Sequence, residues 1–593
     1  MATAETISII PKKIRCIPNK ARPDGRYDLI IRQVQEMYAA GDHVGACDGI
    51  IKILEHVANE NRAPNPITAA EIQRAVHVAL SIFTQPNFRI PESRAQSFLI
   101  LCPVIGNAIA ATTDGTSDVW RASVAGDPQE AFKACVLSSP RTLDPFPFGK
   151  LLEAAPDLAS AWFCQAFKVA FAGNVDERVR QNLIRLGRSL DDRFTACRDM
   201  QEPYFLVTYL GDDTAERNVK YWINQAIKRA ATPIEAGNRS KIIAVASDNW
   251  IQGHSVWRTL KGYIDALRPD YELALIHCLR DAEALDKDGF SEVIKISHDG
   301  KNTDLTQLQN KGFAGLIMPD VGMTGWSIAL ANHRIAPVQV MLTGHPVSTF
   351  GSEIDWFLSG DLTEAARHAI SYTEKVFRVP GFGAIHEQPT YQAVGTKKEY
   401  DGLLVNCSWY GQKVTGEWVN FVGQIIKATR KRVKLQVFAG GAATSRGGFG
   451  TFLRSFDKAL GGVDAELFPH LDYAEYMAKM ESADFAIDCF PFAGSNTVSD
   501  NLHLRKPVVC LEGGRWFNRI GPAMLRSCGM GETVAYDREN FAQILTRMIT
   551  DDAWREDINH RLTNTDLSST VYRRQGAAEF ARWMADRLES SHT

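Results

Sequence analysis

From residue 242 onward, short runs of β-branched and other apolar residues alternate with longer stretches of helical pattern. The runs form two series, 242–246, 271–279, 315–318, 337–342 and 355–358, then 403–407, 433–438, 485–488 and 508–511. Strands that alternate with helices predict a parallel sheet covered by helices. Because a boundary marked by Pro and Gly at residues 380–389 separates the series, we predict two doubly wound α/β domains in tandem. In such folds the ligand lies beyond the carboxyl ends of the strands, here in the cleft between the domains.

The first part of the chain, residues 27–231, has apolar residues at helical spacing instead. Leu29 and Val34 belong to one such face, and Gly41-Asp42 interrupts the pattern before Ile50 resumes it. These hairpins resemble tetratricopeptide (TPR) units, although the sequence lacks a repeat of about 34 residues with its Trp, Gly and Tyr landmarks. We predict a flexible N-terminal tail (1–26), an all-α, TPR-like domain (27–235), a first α/β domain (236–390) and a second one (391–593).

The composition excludes several classes of protein. Lys and Arg total 66 against 69 Asp and Glu, and a net charge of −3 gives no basic surface for a nucleic-acid backbone. The 11 cysteines include no C-x-x-C pair and no zinc-like spacing, so we expect buried thiols in a reducing compartment, without disulfides or a structural metal. No segment has the ~18 to 20 apolar residues of a membrane span, and the N-terminus lacks a secretory signal. We expect a cytoplasmic protein that neither binds nucleic acid nor inserts into a membrane.

The segment FPFAGSNTVSD, residues 490–500, gives the most specific functional signal. It lies between a short apolar run and a helix predicted to begin near Asn496, so backbone N–H groups are exposed at the positive end of the helix dipole. This pattern indicates a phosphate site formed by Ser495, Asn496 and Thr497. Asp500 lies about one turn further along, within reach of a sugar hydroxyl beside that phosphate. The predicted ligand is a nucleotide diphosphate.

Lys413 lies in the loop that follows the run 403–408. A flexible ammonium group at this position can neutralise the charge that develops on a diphosphate leaving group, without a metal ion. Most lysines are solvated surface groups, so this interpretation depends on the phosphate turn in the same chain.

Polar side chains also follow strands of the first series. Asp248 comes directly after the first strand, and His254 and Arg258 follow shortly afterwards. His345 follows the fourth strand and is preceded by Gly344, which allows close approach of the backbone. An isolated histidine is commonly structural, and an ordinary turn is the alternative for His345. Their position after a strand favours a functional role for Asp248, His254 and Arg258, with His254 as a candidate catalytic residue, whereas for His345 both interpretations stay open.

His470 and Tyr473 precede the strand that leads into the phosphate turn. Their rings can stack on a nucleobase, which provides recognition by contact rather than charge. The alternative is a helix N-terminus capped by Asp472, with Tyr473 and Tyr476 packed inside.

Several catalytic motifs are absent from the sequence. There is no G-x-x-x-x-G-K-[ST], no H-E-x-x-H and no G-x-S-x-G, and the Gly-rich segment 440–450 does not fit a dinucleotide fingerprint. A kinase-like ATPase, a zinc hydrolase, a serine esterase and a simple dehydrogenase therefore lose support.

Together these motifs resemble glycosyltransferase family 41, which contains the O-linked N-acetylglucosamine transferases and the cytoplasmic N-glucosyltransferases of bacterial adhesins. The resemblance covers roughly residues 242–562 and includes four segments in order: HSVWR, APVQVMLTGHP, the strand followed by Lys413, and FPFAGSNTVSD. HSVWRT, GHP and the FPF turn with Asn496 and Asp500 are more similar to the adhesin branch, as is the compact helical N-terminus.

The resemblance implies a GT-B fold of two Rossmann-like domains, a UDP-sugar donor, inversion at the anomeric carbon, and no metal or other cofactor. It also implies a terminal helix after the second sheet, here at residues 571–590. By matching position, it implies that Lys413 stabilises the diphosphate, Asn496 and Thr497 hold phosphates, Asp500 binds the ribose, His470 lies against the nucleotide, and His254 and His345 line the sugar and acceptor side. We assign Asp248 and Arg258, which lie near His254 in the sequence, to the same side. The chain departs from the adhesin pattern in NWIQG before HSVWR, in the small residues at 440–444, and in Gln201-Glu202-Pro203, where an acceptor-side carboxylate is suggested. The identity of the hexose and of any catalytic base therefore stays open.

The resulting hypothesis is a cytoplasmic hexosyltransferase that moves a hexose from a UDP-sugar to asparagine side chains of an acceptor polypeptide. Glucose is the hexose we favour. An O-linked transferase of the N-acetylglucosamine type, acting on Ser or Thr, is the alternative within the same fold. A sugar-nucleotide epimerase shares the two-domain architecture but needs no polypeptide. A non-enzymatic scaffold is the remaining alternative, which the set Lys413, Asn496 and Asp500 disfavours.

Overall fold

The structure is a computed structural model that describes residues 14–16, 26–59, 66–110, 115–144, 146–235, 237, 240–366, 370–441, 447–468 and 471–590. The strands are β1 Ile14–Cys16, β2 Ile242–Ala246, β3 Glu272–His277, β4 Glu292–Lys295, β5 Ser297–His298, β6 Thr303–Asp304, β7 Gly315–Met318, β8 Val338–Met341, β9 Trp356–Gly360, β10 Lys375–Val379, β11 Leu403–Cys407, β12 Val433–Phe438, β13 Asp464–Phe468, β14 Phe485–Ile487, β15 Val508–Leu511 and β16 Val534–Ala535.

The helices are α1 Arg26–Ala39, α2 His43–Ala58, α3 Pro66–Phe83, α4 Glu92–Ala110, α5 Asp118–Ala122, α6 Glu130–Leu137, α7 Phe148–Ala154, α8 Pro156–Phe167, α9 Ala170–Gly173, α10 Glu177–Arg188, α11 Gln201–Leu206, α12 Asp213–Ala230, α13 Ser255–Asp265, α14 Gly325–Ala331, α15 Gly416–Thr429, α16 Phe449–Leu460, α17 Tyr473–Glu481, α18 Asn496–His503, α19 Ile520–Ser527, α20 Arg538–Thr550, α21 Asp552–Thr563, α22 Leu567–Thr570 and α23 Gln575–Ser590. The chain divides into two compact units: Met1–Ser189 with Lys398–Tyr476, and Leu190–Lys397 with Met477–Thr593. The domain limits predicted at residues 26, 235 and 390 stay predictions, and β1 lies within the predicted tail.

The first unit begins with the predicted helical hairpin. Gly41, at a φ of +76°, and Asp42 separate α1 from α2, and the Asp42 side chain accepts a hydrogen bond from Gly45 N at 2.9 Å. This carboxylate satisfies an N–H group that the first turn of α2 leaves without a helical partner. The apolar faces of α1 to α4 and α6 share one core, in which Val34 and Ile53 are completely buried.

The first unit also contains parallel strands in the order β1-β13-β12-β11. Helix α16 packs against α4 and α9. Thr451 Oγ1 donates to Asn107 O at 3.0 Å, and Arg454 Nη1 donates to Ala110 O at 2.8 Å. Within this unit, the helical segment is therefore packed directly onto the segment whose strand β11 leads to Lys413.

The second unit contains a parallel sheet in the order β10-β9-β8-β7-β2-β3-β4. The chain starts in the middle at β2, proceeds to β4 at one edge, and returns to β7 on the other side of β2. Separate apolar cores cover the two faces, one containing Val245 and the other Trp326. The order reverses between β2 and β7, and this reversal places the loops after these strands next to each other at a topological switch point.

The predicted fold class, a helical first part followed by doubly wound parallel strands, is confirmed by this order of elements. The predicted bounds of β2, β7, β11, β12 and β15 agree with the structure to the residue. Strands β4, β10, β13 and β16 were not predicted, because the first three mix charged and apolar residues and the last contains two residues. Ten cysteines between Cys47 and Cys528 are free thiols, and all ten except Cys278 are buried, which agrees with the buried thiols that the sequence predicts.

The C-terminal helix α23 begins at Gln575, four residues later than predicted, and packs against α13 and β10 of the second unit. The Trp583 ring stacks on Phe377 with centroids 4.3 Å apart and meets the edge of Trp356 at 5.2 Å. Phe580 contacts Tyr263 of α13 at 5.4 Å. Helix α23 therefore supports the helix that presents Arg258.

We expect Trp583→Ala to lower the free energy of unfolding by about 3–5 kcal/mol, because it removes a large buried ring and leaves a cavity beside β10. Urea unfolding followed by tryptophan-independent far-UV circular dichroism measures this change. Arg582→Ala on the same helix, whose side chain is 74% exposed, is the matched control. Equal unfolding midpoints for the two variants would contradict the assigned packing.

Candidate active site

The switch point of the second unit holds a buried carboxyl group. Asp320 follows β7 and is 2% exposed. Its Oδ2 accepts hydrogen bonds from Ser247 Oγ at 3.0 Å and from Asn249 Nδ2 at 2.5 Å, both in the loop after β2. Burial raises the pKa of Asp320 to about 6 despite these bonds. The loops after β2 and β7 are thus joined by a titratable group at the carboxyl ends of the strands.

Asp248, which we predicted on the sugar and acceptor side, has structural partners in this loop. Its Oδ1 accepts from Cys278 N and its Oδ2 from Trp326 Nε1, each at 2.7 Å. The carboxylate therefore joins the loops after β2 and β3 to helix α14. A role toward a ligand stays a prediction for this residue.

His254 is the N-cap residue of α13. Val256 N donates to His254 Nδ1 at 3.3 Å, and burial lowers the pKa of the imidazole. In a neutral ring whose Nδ1 accepts a hydrogen bond, the proton is on Nε2. At this position His254 is therefore suited to donate a hydrogen bond, whereas accepting a proton at Nδ1 would disrupt the cap.

The predicted phosphate turn leads into α18, which begins at Asn496 as expected. Asp488 Oδ1 accepts from Gly494 N at 2.9 Å and holds the turn closed. A Cβ atom at Gly494 would collide with Thr497 Oγ1, so the turn in this conformation favours glycine. Within the described part of the chain, the Ser495 hydroxyl makes no capping bond to the helix. The partly exposed first turn of α18 therefore presents N–H groups suited to an anion.

Two contacts join α18 to α13 within the second unit. Arg258 Nη2 donates to Asp500 Oδ1 at 2.6 Å, and both side chains are at least nine-tenths buried. Asn496 Nδ2 donates to Ser255 O at 3.3 Å. The structure thus brings together Arg258, Asp500 and Asn496, and it places His254 next to the residue that Asn496 contacts.

His386 completes this group, although no motif in the sequence points to it. Its Nε2 lies 3.0 Å from Ser495 Oγ, and the ring is 2% exposed. Burial, with a further contribution from the Arg258 charge, lowers the pKa of His386 to about 3. The imidazole is therefore neutral near pH 7. The His386 ring forms a hydrogen bond with the Ser495 hydroxyl, which would otherwise be expected to cap α18.

His345 is also buried, at 2% exposure. Its Nδ1 lies 3.2 Å from Val321 O, and its ring packs on Phe205 at 4.9 Å. Tyr209 lies 6.4 Å from His345 and 4.6 Å from Phe492 of the phosphate turn. Aromatic side chains therefore connect His345 to the phosphate turn. The predicted placement of His345 on the sugar and acceptor side of a cleft stays a prediction.

Lys413 and Tyr473 belong to the first unit. Lys413 lies in the loop after β11 as predicted, is partly buried, and its backbone N donates to Tyr410 O at 2.8 Å. Tyr473 begins α17 and is 40% exposed. The Asp472 side chain accepts a hydrogen bond from Glu475 N at 2.8 Å. Asp472 therefore caps this helix, as the alternative interpretation of the segment proposed. His470 lies outside the described residues.

Sequence reasoning missed His386, Asp320 as a site residue, and Tyr209. Asp320 follows β7 at the switch point, so its position relative to the strands could have identified it. His386 and Tyr209 lie far along the chain from the turn, and only the tertiary structure brings them to it.

Among the described residues, no group of three or more His, Cys, Asp or Glu side chains is placed to hold a metal ion. Within the same part of the chain, no helix is both long and apolar enough to span a membrane.

Comparison with known proteins identifies relatives of the chain, although no family model matches it. The UDP-glucose:protein N-beta-glucosyltransferase of Actinobacillus pleuropneumoniae serotype 5b (strain L20) is 25% identical over 310 residues, which are 50% of this chain and 48% of that protein. Its serotype 7 (strain AP76) counterpart is 27% identical over 232 residues, covering 38% and 36% of the two chains. The probable UDP-N-acetylglucosamine–peptide N-acetylglucosaminyltransferase SPINDLY of Hordeum vulgare is 23% identical over 289 residues, covering 45% and 30%. The predicted resemblance is confirmed.

The chain spans about half the length, or less, of these relatives. Among solved structures, a mutant of the Thermobaculum terrenum O-GlcNAc transferase aligns with 97% of this chain and 100% of its own chain, at a TM-score of 0.58 and 17% identity. At this identity the similarity establishes the fold. The GT-B prediction, with its preceding helical region, is confirmed by this neighbour.

Because the pKa of His386 falls from 6.5 to about 3 on folding, the unfolded chain binds a proton below pH 6.5 that the folded chain does not. We expect this residue to lower stability as the pH decreases from 6.5 toward 3, by at most about 1.4 kcal/mol per pH unit. His386→Gln should therefore show a shallower loss of stability between pH 7 and 5 than the wild type. Urea titrations at several pH values measure the two slopes, with His560→Gln at an exposed position as the control. Parallel curves for wild type and His386→Gln would exclude a buried neutral imidazole.

Proposed function

We propose that this chain is a protein glycosyltransferase that transfers glucose from a UDP-sugar to asparagine side chains, with inversion and without a metal ion. The observation that carries the proposal is the open N-terminus of α18, joined to α13 through Asn496 and the Arg258–Asp500 pair. Relatives named as UDP-sugar-dependent protein glycosyltransferases support it.

The donor would be held by its diphosphate at the first turn of α18. Backbone N–H groups and the positive end of the helix dipole favour an anion there, and the side chains of Asn496 and Thr497 supply further polar contacts. Asn496 Oδ1 is buried and has no hydrogen-bond partner among the described residues, so it can accept a hydrogen bond from the donor. Asp500 already pairs with Arg258, so the proposed ribose contact would be made by a carboxylate that this arginine orients.

Catalysis would depend chiefly on electrostatic stabilisation of the departing diphosphate. The amide of asparagine is a weak nucleophile, so the rate must come from positioning and from charge stabilisation in the transition state. Lys413 would supply the positive charge. Inversion requires a single displacement in which the acceptor attacks the anomeric carbon from the face opposite the diphosphate.

His254 would contribute a hydrogen bond rather than act as the base. Its Nδ1 is engaged by Val256 N, which leaves the ring proton on Nε2. In this tautomer the imidazole can donate to a hydroxyl of the sugar or to the acceptor. The catalytic base, if one is required, is not assigned to a residue in this proposal.

The N-linked reaction is preferred because the two relatives named as N-beta-glucosyltransferases are matched at 25% and 27% identity. The second candidate is transfer of N-acetylglucosamine to Ser or Thr. It is favoured by the relatives named SPINDLY and by the similarity of the fold to an O-GlcNAc transferase.

The decisive experiment incubates the purified chain with a panel of UDP-sugars and peptides that contain Asn-X-Ser/Thr or only Ser and Thr. Mass spectrometry with fragmentation then locates the modified residue. Glucose on asparagine, formed equally well in a chelating agent, is the expected result. N-acetylglucosamine on Ser or Thr would support the second candidate. Conversion of the donor without peptide modification would indicate an epimerase, and UDP binding without any turnover would indicate a scaffold.

We expect Lys413→Ala to reduce the turnover number by roughly 10²–10³-fold, because it removes a preorganised charge from the leaving group. Its circular dichroism spectrum and thermal midpoint should remain those of the wild type, since the side chain is only partly buried. The matched control is Lys431→Ala, an exposed lysine of the same unit. Unchanged turnover in the Lys413 variant would refute the role assigned to this residue.

A further inference from the structure

We infer that Asn174, in the helical segment of the first unit, positions the Lys413 loop and is thereby required for efficient transfer. The Lys413 loop is defined here as residues 408–416. The inference rests on the proposed function, because Lys413 has a catalytic task only if the chain transfers a sugar. The two hydrogen bonds between Asn174 and this loop, called the clamp below, can be tested without that assumption.

The clamp acts on the peptide unit that directly precedes Lys413. Asn174 Nδ2 donates to Gln412 O at 2.7 Å, across 238 residues of sequence. On the other side of the same peptide plane, Lys413 N donates to Tyr410 O at 2.8 Å. Because a peptide unit is planar, fixing its carbonyl and its N–H group fixes the orientation of the plane. Val414 N also donates to Tyr410 O, at 3.1 Å, so the peptide units on both sides of Lys413 are held, and together they set the direction in which its side chain leaves the backbone.

The main chain beside Asn174 also holds the far end of the loop. Gly416 N donates to Asn174 O at 3.3 Å, and a Cβ atom at Gly416 would collide with the Val175 carbonyl oxygen. Gly416 is the first residue of α15, whose N-cap Thr415 accepts from Trp418 N. Two consecutive residues of the helical segment therefore fix both the middle of the Lys413 loop and its junction with α15.

The surroundings of Asn174 leave little room for adjustment. The residue is completely buried and is the C-cap of α9, which packs against α16. A buried carbonyl that loses its donor keeps the full cost of its desolvation. An apolar or acidic side chain at position 174 would therefore leave Gln412 O without this partner and would favour movement of the loop.

This arrangement assigns the helical segment a task in catalysis besides any contact with an acceptor. A side chain that lies outside the α/β strands would determine where the charge of Lys413 is placed. Asn174 is thus a positioning residue, because it acts through the loop that carries Lys413.

The first test compares hydrogen exchange in Asn174→Asp with the wild type. The substitution keeps the size of the side chain but replaces the amide donor with an acceptor. The matched control is Asn182→Asp, because Asn182 Nδ2 donates to Pro140 O at 2.8 Å in the same unit but away from the loop. We expect the amides of Lys413 and Val414, which both donate to Tyr410 O, to exchange about tenfold faster or more in Asn174→Asp only.

The second test measures steady-state transfer by the same variants. A misplaced Lys413 should lower kcat by about 10²-fold, because catalysis depends steeply on orientation. The KM for the donor should change by no more than about threefold, since the phosphate turn is untouched. In a Lys413→Ala background, Asn174→Asp should have no further effect on kcat, because residues that act as a unit are not additive.

Gly416→Ala disturbs the clamp from the opposite side and should reproduce the loss of kcat. Gly149→Ala is its control, because a Cβ atom there meets no neighbour within 4 Å. Unchanged exchange in the loop of Asn174→Asp, or additive losses with Lys413→Ala, would overturn the inference. A wild-type chain without any transferase activity would instead refute the proposed function, and the exchange data would then decide on the clamp alone.

Discussion

A buried charge pair, Arg258 with Asp500, is the interaction on which the candidate site of the second unit depends. It joins the helix that follows β2 to the helix that follows the phosphate turn, at 2.6 Å and almost without solvent. Loss of one member of such a pair typically costs about 3–5 kcal/mol, because the remaining charge stays buried. The pair therefore fixes the relative position of α13 and α18, and with it the approach of Asn496 to Ser255.

Two histidines of the candidate site are kept neutral, and one further carboxylate is engaged by hydrogen bonds. Burial depresses the pKa of His386 and of His254, so neither ring adds a positive charge near pH 7. The Asp248 oxygens are occupied by Trp326 and Cys278. Among the residues that the structure describes, the first turn of α18 has no cap from the Ser495 side chain, which leaves its positive end suited to an anion.

The sequence predicted most strands and the helix that begins at Asn496, because apolar runs between helices and small residues before a helix are local patterns. It also predicted that Lys413 lies in the loop after β11. Strands β4 and β13 were not predicted, because the charged residues in such short strands obscure the apolar pattern. Asn174 could not have been linked to Lys413 from sequence, since 238 residues separate the atoms that meet.

From the sequence alone, the class of the fold and the types of residue at the strand ends could be predicted, because hydrophobic periodicity and residue type are properties of short segments. The tertiary structure alone decided which of those groups share an environment. Asp500 became the partner of Arg258, and Ser495 became the partner of a histidine that no motif marked. The reason is physical: burial and charge pairing depend on which distant segments pack together, and a one-dimensional pattern does not contain that information.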